Sequence, residues 1–243
     1  MGNQIAFDSV PKDILFTIIS LFDDDKKFPL LFVSKEINLC IKNQKIHFYR
    51  LHIIYNCAEL GCLELFKWYR TYNKFPWNES TCAIAASNGH FEILKWAREN
   101  GCEWYASTCA TAASNGHFEI LKWARANGCE WNGSTCAFAV TNGHFEILKW
   151  ARKNGCAWDA ATCAAAASNG HFDILKWARE NGCEWNAGTC SSAAAKGHFE
   201  ILKWAKANGC EWTSETYDYA IKNGHLEIAQ WAKDNGCLQE YYN

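Results

Sequence analysis

One string in this chain keeps returning, and it limits the folds open to the whole. Asn-Gly-His-Phe-Glu-Ile-Leu-Lys-Trp-Ala begins at Asn88 and recurs at Asn115 and Asn142. It returns with Asp for Glu at Asn169, with Lys for Asn at Lys196, and in weaker form at Asn223. From Asn88 to Asn223 successive starts are 27 residues apart. A copy at Leu60 is one residue longer, with the insertion between Trp68 and Trp77, and a degenerate half-unit (54–59) precedes it. One such unit cannot bury its own apolar face, but stacking on neighbours can. A fixed period of this length therefore points to a solenoid.

Each unit reads as two helices. In the copy around residue 110, Thr108 is a good N-cap for a short first helix over 109–114. Asn115-Gly116 is a turn signal that permits left-handed backbone. A second helix then runs over about 117–127, with Phe118, Ile120, Leu121, Trp123 and Ala124 on a wide apolar stripe. Gly128 fits the left-handed position after a helix end. About seven units fit between residue 51 and the end, the last one a C-terminal cap. There Leu226, Ala229 and Gln230 replace the usual Phe, Leu and Lys, and in the unit before it Tyr217 stands where a cysteine is usual.

Composition excludes several classes. With 243 residues, 49% apolar and 21% charged, the chain can bury a core and is not a disordered polymer. Its longest apolar run, Ile14 to Phe22, falls short of the ~20 residues of a spanning helix. The start lacks the basic residues and cleavage site of a secretory signal, and Ala6 stands where a myristoylation motif has Ser or Thr. A net charge of −2 leaves no footprint for nucleic acid or an anionic membrane. The 14 cysteines, with no leader, imply thiols in a reducing compartment, the cytoplasm.

The unit resembles the ankyrin repeat. Thr108 matches the Thr that opens the family pattern, and Ala112-Ala113 match its Ala pair. Gly116-His117 and Glu119-Ile120 match the start of its second helix, and Gly128-Cys129 matches its closing Gly-Ala. Cys109 replaces the Pro, Trp123-Ala124 replace a Leu pair, and the unit is about six residues shorter than the usual ~33. Most of the shortening lies between Gly128 and Thr135, where ankyrins carry a β-hairpin finger. The resemblance implies an all-α solenoid of stacked helix pairs without that finger. Short units rich in Trp and Cys are similar to the ankyrin-like arrays of giant DNA viruses and some microbial eukaryotes, which for a viral chain means the host cytoplasm.

The first 50 residues differ. Val10-Pro11-Lys12-Asp13-Ile14-Leu15 opens an apolar helix, and a second follows from about Pro29. With Ile18, Phe22-Asp23 and Phe32-Val33-Ser34-Lys35, the run resembles an F-box, although Val10, Phe22 and Phe32 replace Leu and Lys27 stands at another Leu position. The resemblance implies that Pro11, Ile14, Leu15, Ile18, Phe22 and Val33 face a Skp-type adaptor of a cullin–RING ubiquitin ligase. The alternative is an apolar N-terminal cap of the solenoid, and one segment could serve as both.

Several repeated residues invite chemistry. No Cys-x-x-Cys occurs, so a zinc site would need ligands from several units. The cysteines read better as small buried hydrophobes, with equivalent ones about 10 Å apart in neighbouring units and beyond disulfide reach. His90, His117, His144, His171, His198 and His225 read as structural hydrogen-bonders in the turn between units. The helix tryptophans read as core and the loop tryptophans as covers for the seam. No residue set stands apart from the repeat, so no enzyme, cofactor or metal is expected.

Recognition belongs to positions that vary between copies. One set precedes the first helix: Tyr105, Asn132, Asp159, Asn186 and Thr213. A second lies within it: Ile84, Thr111, Phe138, Ala165, Ser192 and Tyr219. A third closes it, from Ser87 and Ser114 to Lys222. In ankyrins, first helices and finger tips line the binding face, and Phe138 is the natural anchor among small neighbours. The expected function is a monomeric, non-enzymatic adaptor that presents a protein target to a ubiquitin ligase. A plain scaffold or virion component is the alternative.

Overall fold

The computed structural model describes residues 47–238. Its regular elements, among the described residues, are all helices. They are α1 (His47–Leu60), α2 (Leu63–Thr71), α3 (Glu79–Ser87), α4 (Phe91–Glu99), α5 (Ala106–Ser114), α6 (Phe118–Ala126) and α7 (Gly133–Thr141). Then follow α8 (Phe145–Lys153), α9 (Ala160–Ser168), α10 (Phe172–Glu180), α11 (Ala187–Ala195), α12 (Phe199–Ala207), α13 (Ser214–Lys222) and α14 (Leu226–Asp234). The chain divides into two compact units, one up to Glu103 and one from Trp104 onward. The two helices expected within the first 46 residues lie outside the described residues, and so do Pro11, Ile14, Leu15, Ile18, Phe22 and Val33.

In the first unit α1 packs on α3, and each also packs on its own second helix, α2 or α4. Phe66, fully buried, meets Trp77 and Trp96 at 6.0 and 5.8 Å. In the second unit the first helices α5, α7, α9, α11 and α13 pack in succession, each against its own second helix. The core alternates small and branched side chains. Cys136, Ala139 and Val140 of α7 and Leu148 and Ala151 of α8 are fully buried. Small residues on the first helices let them approach closely, and Ile and Leu of the second helices fill the space between.

Both turns of the unit are built the same way. At the end of α7, Gly143 N–H donates to Val140 O and His144 N–H to Ala139 O, at 3.0 and 2.9 Å. At the end of α8, Gly155 N–H donates to Arg152 O and Cys156 N–H to Ala151 O, at 3.0 and 2.9 Å. Each pair is a Schellman motif, which satisfies the last carbonyls and needs a left-handed residue. Gly143 has φ 75° and Gly155 φ 82°. The Asn-Gly pairs of the sequence encode these two stops.

The helix starts differ from expectation. The first helix begins three residues earlier, at Ala106 instead of 109, with Tyr105 as N-cap. In four copies the cap side chain is Asn or Asp: Asn78, Asn132, Asp159 and Asn186 each accept from a backbone N–H two residues on. The constant Thr is therefore not the cap. Thr135 is the third residue of α7, fully buried, with its own N–H bonded to Asn132 O at 3.0 Å. Its hydroxyl, like those of Thr108, Thr162, Thr189 and Thr216, is buried without a hydrogen-bond partner. Among the described residues only Thr81 uses its hydroxyl in a capping box, accepting from Asn78 N–H at 3.3 Å. Burial keeps this Thr in every copy.

Candidate protein-interaction surface

The histidines join one helix pair to the next. His144 Nε2 lies 3.0 Å from Ser114 O, His171 Nε2 3.3 Å from Thr141 O, and His198 Nε2 3.1 Å from Ser168 O. In the first unit His90 Nε2 lies 2.9 Å from Glu59 O. The carbonyl accepts, so that ring nitrogen carries the proton. The imidazole also covers the glycine of the preceding turn: a Cβ on Gly116 would sit 2.7 Å from His144 Cε1. Glycine is thus required there both by its φ of 77° and by the ring above it. These contacts give the histidines a structural task in the seam.

The tryptophans form a ladder and are less buried than expected. Trp150 of α8 is half-buried and meets two rings edge to face, Phe118 of the preceding pair at 5.6 Å and Trp131 at 5.5 Å. The same triplet recurs at Trp177, Trp204 and Trp231. A cation covers the outside: Arg152 lies 4.1 Å from the Trp158 ring and Arg179 4.1 Å from Trp185. The fully buried positions of α8 belong instead to Leu148 and Ala151. The ladder is occupied by its own chain, which leaves its ring faces to packing.

The outer helices carry little that varies. Lys149 Nζ bonds Glu146 Oε1 at 2.6 Å and lies 4.4 Å from the Phe145 ring, and the pattern repeats at Lys203. Such exposed pairs add a few tenths of a kcal/mol each.

The first helices behave differently. In the second unit, the structure places Tyr105, Asn132, Asp159 and Asn186 on exposed positions at successive helix starts. Of these, Asn132, Asp159 and Asn186 also cap their helices, so their choice among Asn and Asp follows local hydrogen bonding as well as exposure. Tyr105 accepts no such bond and is 60% exposed. The within-helix set lies along α5 to α13: Thr111 and Ser192 half-buried, Phe138 46% exposed and Tyr219 41% exposed. Phe138 of α7 and Tyr219 of α13 are large aromatic rings left at the surface. Beside Tyr219, Ile221 is also exposed.

Among the described residues, no three His, Cys, Asp or Glu side chains converge as a metal site, and no helix is long and apolar enough to cross a membrane.

These features define a stack of ankyrin-type helix pairs. Residues 109–152 match the family described as "Ankyrin repeats (many copies)". Among solved structures, the crystal structure of the human ASB11 ankyrin repeat domain superposes with a TM-score of 0.51 at 18% identity, covering 65% of this chain and 84% of that one. That likeness shows the fold. No curated protein matches the chain in sequence.

Proposed function

We propose that the chain is a non-enzymatic protein-recognition module. Its first helices present a target-binding face, and its N-terminal segment docks on a Skp-type adaptor, so that the whole recruits a protein to a cullin–RING ubiquitin ligase. One observation carries the recognition reading. Positions fixed by packing are buried on α5 to α13, while Tyr105, Phe138 and Tyr219 remain exposed at positions the stack leaves free. Large aromatic rings supply most of the energy in protein interfaces, so they are the anchors such a face would use. Thr111, Asn132, Asp159, Asn186 and Ser192 form the surrounding polar contacts. This reading places the chain in the reducing cytoplasm, where its 14 cysteines stay thiols.

The adaptor reading rests on the F-box-like run alone and is tested by itself. Replacing Ile14 and Ile18 by Asp places charges in the contact, and burying an unpaired carboxylate costs several kcal/mol. The double mutant loses a Skp-type adaptor in co-purification while thermal melting stays near wild type. Lowered melting with no adaptor on the wild type either leaves a capped scaffold.

A further inference from the structure

The last helix pair of the second unit, α13 and α14, leaves open what earlier pairs cover. Ala113, Val140, Ala167 and Ala194 hold one position on successive first helices, and all four are fully buried. On α13 that position is Ile221, 44% exposed. Phe118, Phe145, Phe172 and Phe199 each meet the tryptophan of the next pair at 5.5–5.6 Å. Leu226 takes their place on α14 and is 65% exposed. Gly116, Gly143, Gly170 and Gly197 lie under the histidine of the next pair, whereas nothing lies within 4 Å of a Cβ built on Gly224. These three positions mark one end face of the unit.

Another copy of the repeat would not seat well there. Successive first helices approach through small side chains, Cys and Ala. At the matching positions α13 carries Tyr217 for Cys190 and Ile221 for Ala194. Asp218 stands where Ala110, Ala137, Ala164 and Ser191 are buried or half-buried, so a helix at that distance would also bury its carboxylate. Tyr219 lies off this face: its equivalents Thr111, Phe138, Ala165 and Ser192 stay exposed or half-buried inside the stack. It remains with the first-helix surface proposed for recognition.

Charge decides what does fit. Asp218, Ile221 and Lys222 are three and four residues apart and exposed, so they share one stripe of α13. Acid precedes base along that stripe. Two copies of the helix laid antiparallel about a twofold axis bring each Asp218 opposite Lys222 of the other copy, with the two Ile221 side chains near the axis. Laid parallel, they would set like charges together. A twofold contact uses the same patch on both chains and closes at two. Opposite charges flanking an apolar centre give such a contact its register as well as attraction.

We infer that the exposed end of α13 and α14 is a docking face for a second copy of this chain, joined through antiparallel α13 helices. Ile221 and Leu226 supply the apolar centre, and Asp218 and Lys222 form two symmetric ion pairs around it. The contact spans one end of one helix pair, which places it among small, weak interfaces read at micromolar concentration. The chain is thereby a reversible dimer with two first-helix faces, where the sequence led to a monomer.

Sedimentation equilibrium of the full chain in reducing buffer, from about 1 to about 500 µM, tests this. The mass should rise reversibly from one chain to two and stop there. Ile221→Asp and Leu226→Asp should each weaken association at least about tenfold, with thermal melting near wild type because both side chains are exposed. Asp218→Lys sets lysine against lysine on both sides of the axis and should weaken association about tenfold. Adding Lys222→Asp to that chain restores opposite charges and should bring the constant back within about threefold of wild type. A single-chain mass at every concentration overturns the inference, as it would if residues 239–243 or a different protein covered the face. Growth beyond two chains overturns the twofold contact. A dimer indifferent to Ile221→Asp lies elsewhere on the chain, and a double charge reversal that fails to restore association contradicts the antiparallel register.

Discussion

Removing the indole of Trp150 tests how the units are joined. The side chain is half-buried against the core and meets Phe118 and Trp131 edge to face. Each such ring pair adds about 0.5–1.5 kcal/mol beyond area, so two give about 1–3. Half of a Trp side chain, about 100 Å² at ~25 cal/mol per Å², adds about 2.5 kcal/mol. Trp150→Ala should therefore cost about 3.5–5.5 kcal/mol, read from urea denaturation followed by far-UV circular dichroism. Lys149→Ala is the control: it loses an ion pair between exposed partners and a contact with the Phe145 ring, below about 1 kcal/mol together. A double-mutant cycle with Phe118→Ala isolates the inter-unit part, and the coupling should be about 0.5–1.5 kcal/mol. Equal losses for Trp150→Ala and Lys149→Ala, or a coupling near zero, would refute the ladder as the joint between units.

Three further outcomes follow from local geometry. Thr135→Val removes a buried hydroxyl that has no partner and keeps the branched shape, so denaturation should show no loss and up to about 1 kcal/mol gained, whereas Asn132→Ala should lose about 1. The reverse ranking would return the N-cap to the threonine. Gly143→Ala and Gly155→Ala both force a Cβ into positive φ, at about 1–2 kcal/mol each, but only at Gly143 does that Cβ meet a neighbour, His171 Cε1 at 3.0 Å. Gly143→Ala should therefore be the costlier, and equal costs would remove the imidazole from the seam. Burial pushes the Cys57 thiol and the Tyr69 phenol each up to about 12. Their folded forms hold protons that the unfolded chain releases, so stability is full below pH ~9 and falls as pH rises toward ~12, by at most about 1.4 kcal/mol per pH unit for each group. Melting temperatures measured across that range should decline, and a flat profile would contradict their burial.

The period and the Asn-Gly stops were legible in the sequence because each repeats one physical requirement, a helical stripe or a left-handed residue. The cap was misread for a related reason. Thr108 and its equivalents are constant because they are buried, while the true cap changes among Tyr, Asn, Asp and Thr, and constancy looks like the signal. Trp150 reads as core by its place on the stripe, yet Leu148 and Ala151 take the interior because a long indole reaches over the edge of a short helix. On the first helices, exposure of Tyr105, Phe138 and Tyr219 followed from their variation, but the capping role of Asn132, Asp159 and Asn186 needed the backbone geometry.

Site-specific photo-crosslinking tests recognition by the first helices most directly. A photoreactive phenylalanine analogue is placed at Phe138 of α7 and, in a second sample, at the exposed Glu146 of α8, each in the full chain within cells that make it. The account predicts covalent adducts to a discrete protein from position 138 and none from position 146, with the 138 adduct suppressed by Tyr219→Asp or Tyr105→Asp. Adducts from position 146 alone, or equal labelling of the same proteins from both, would contradict it.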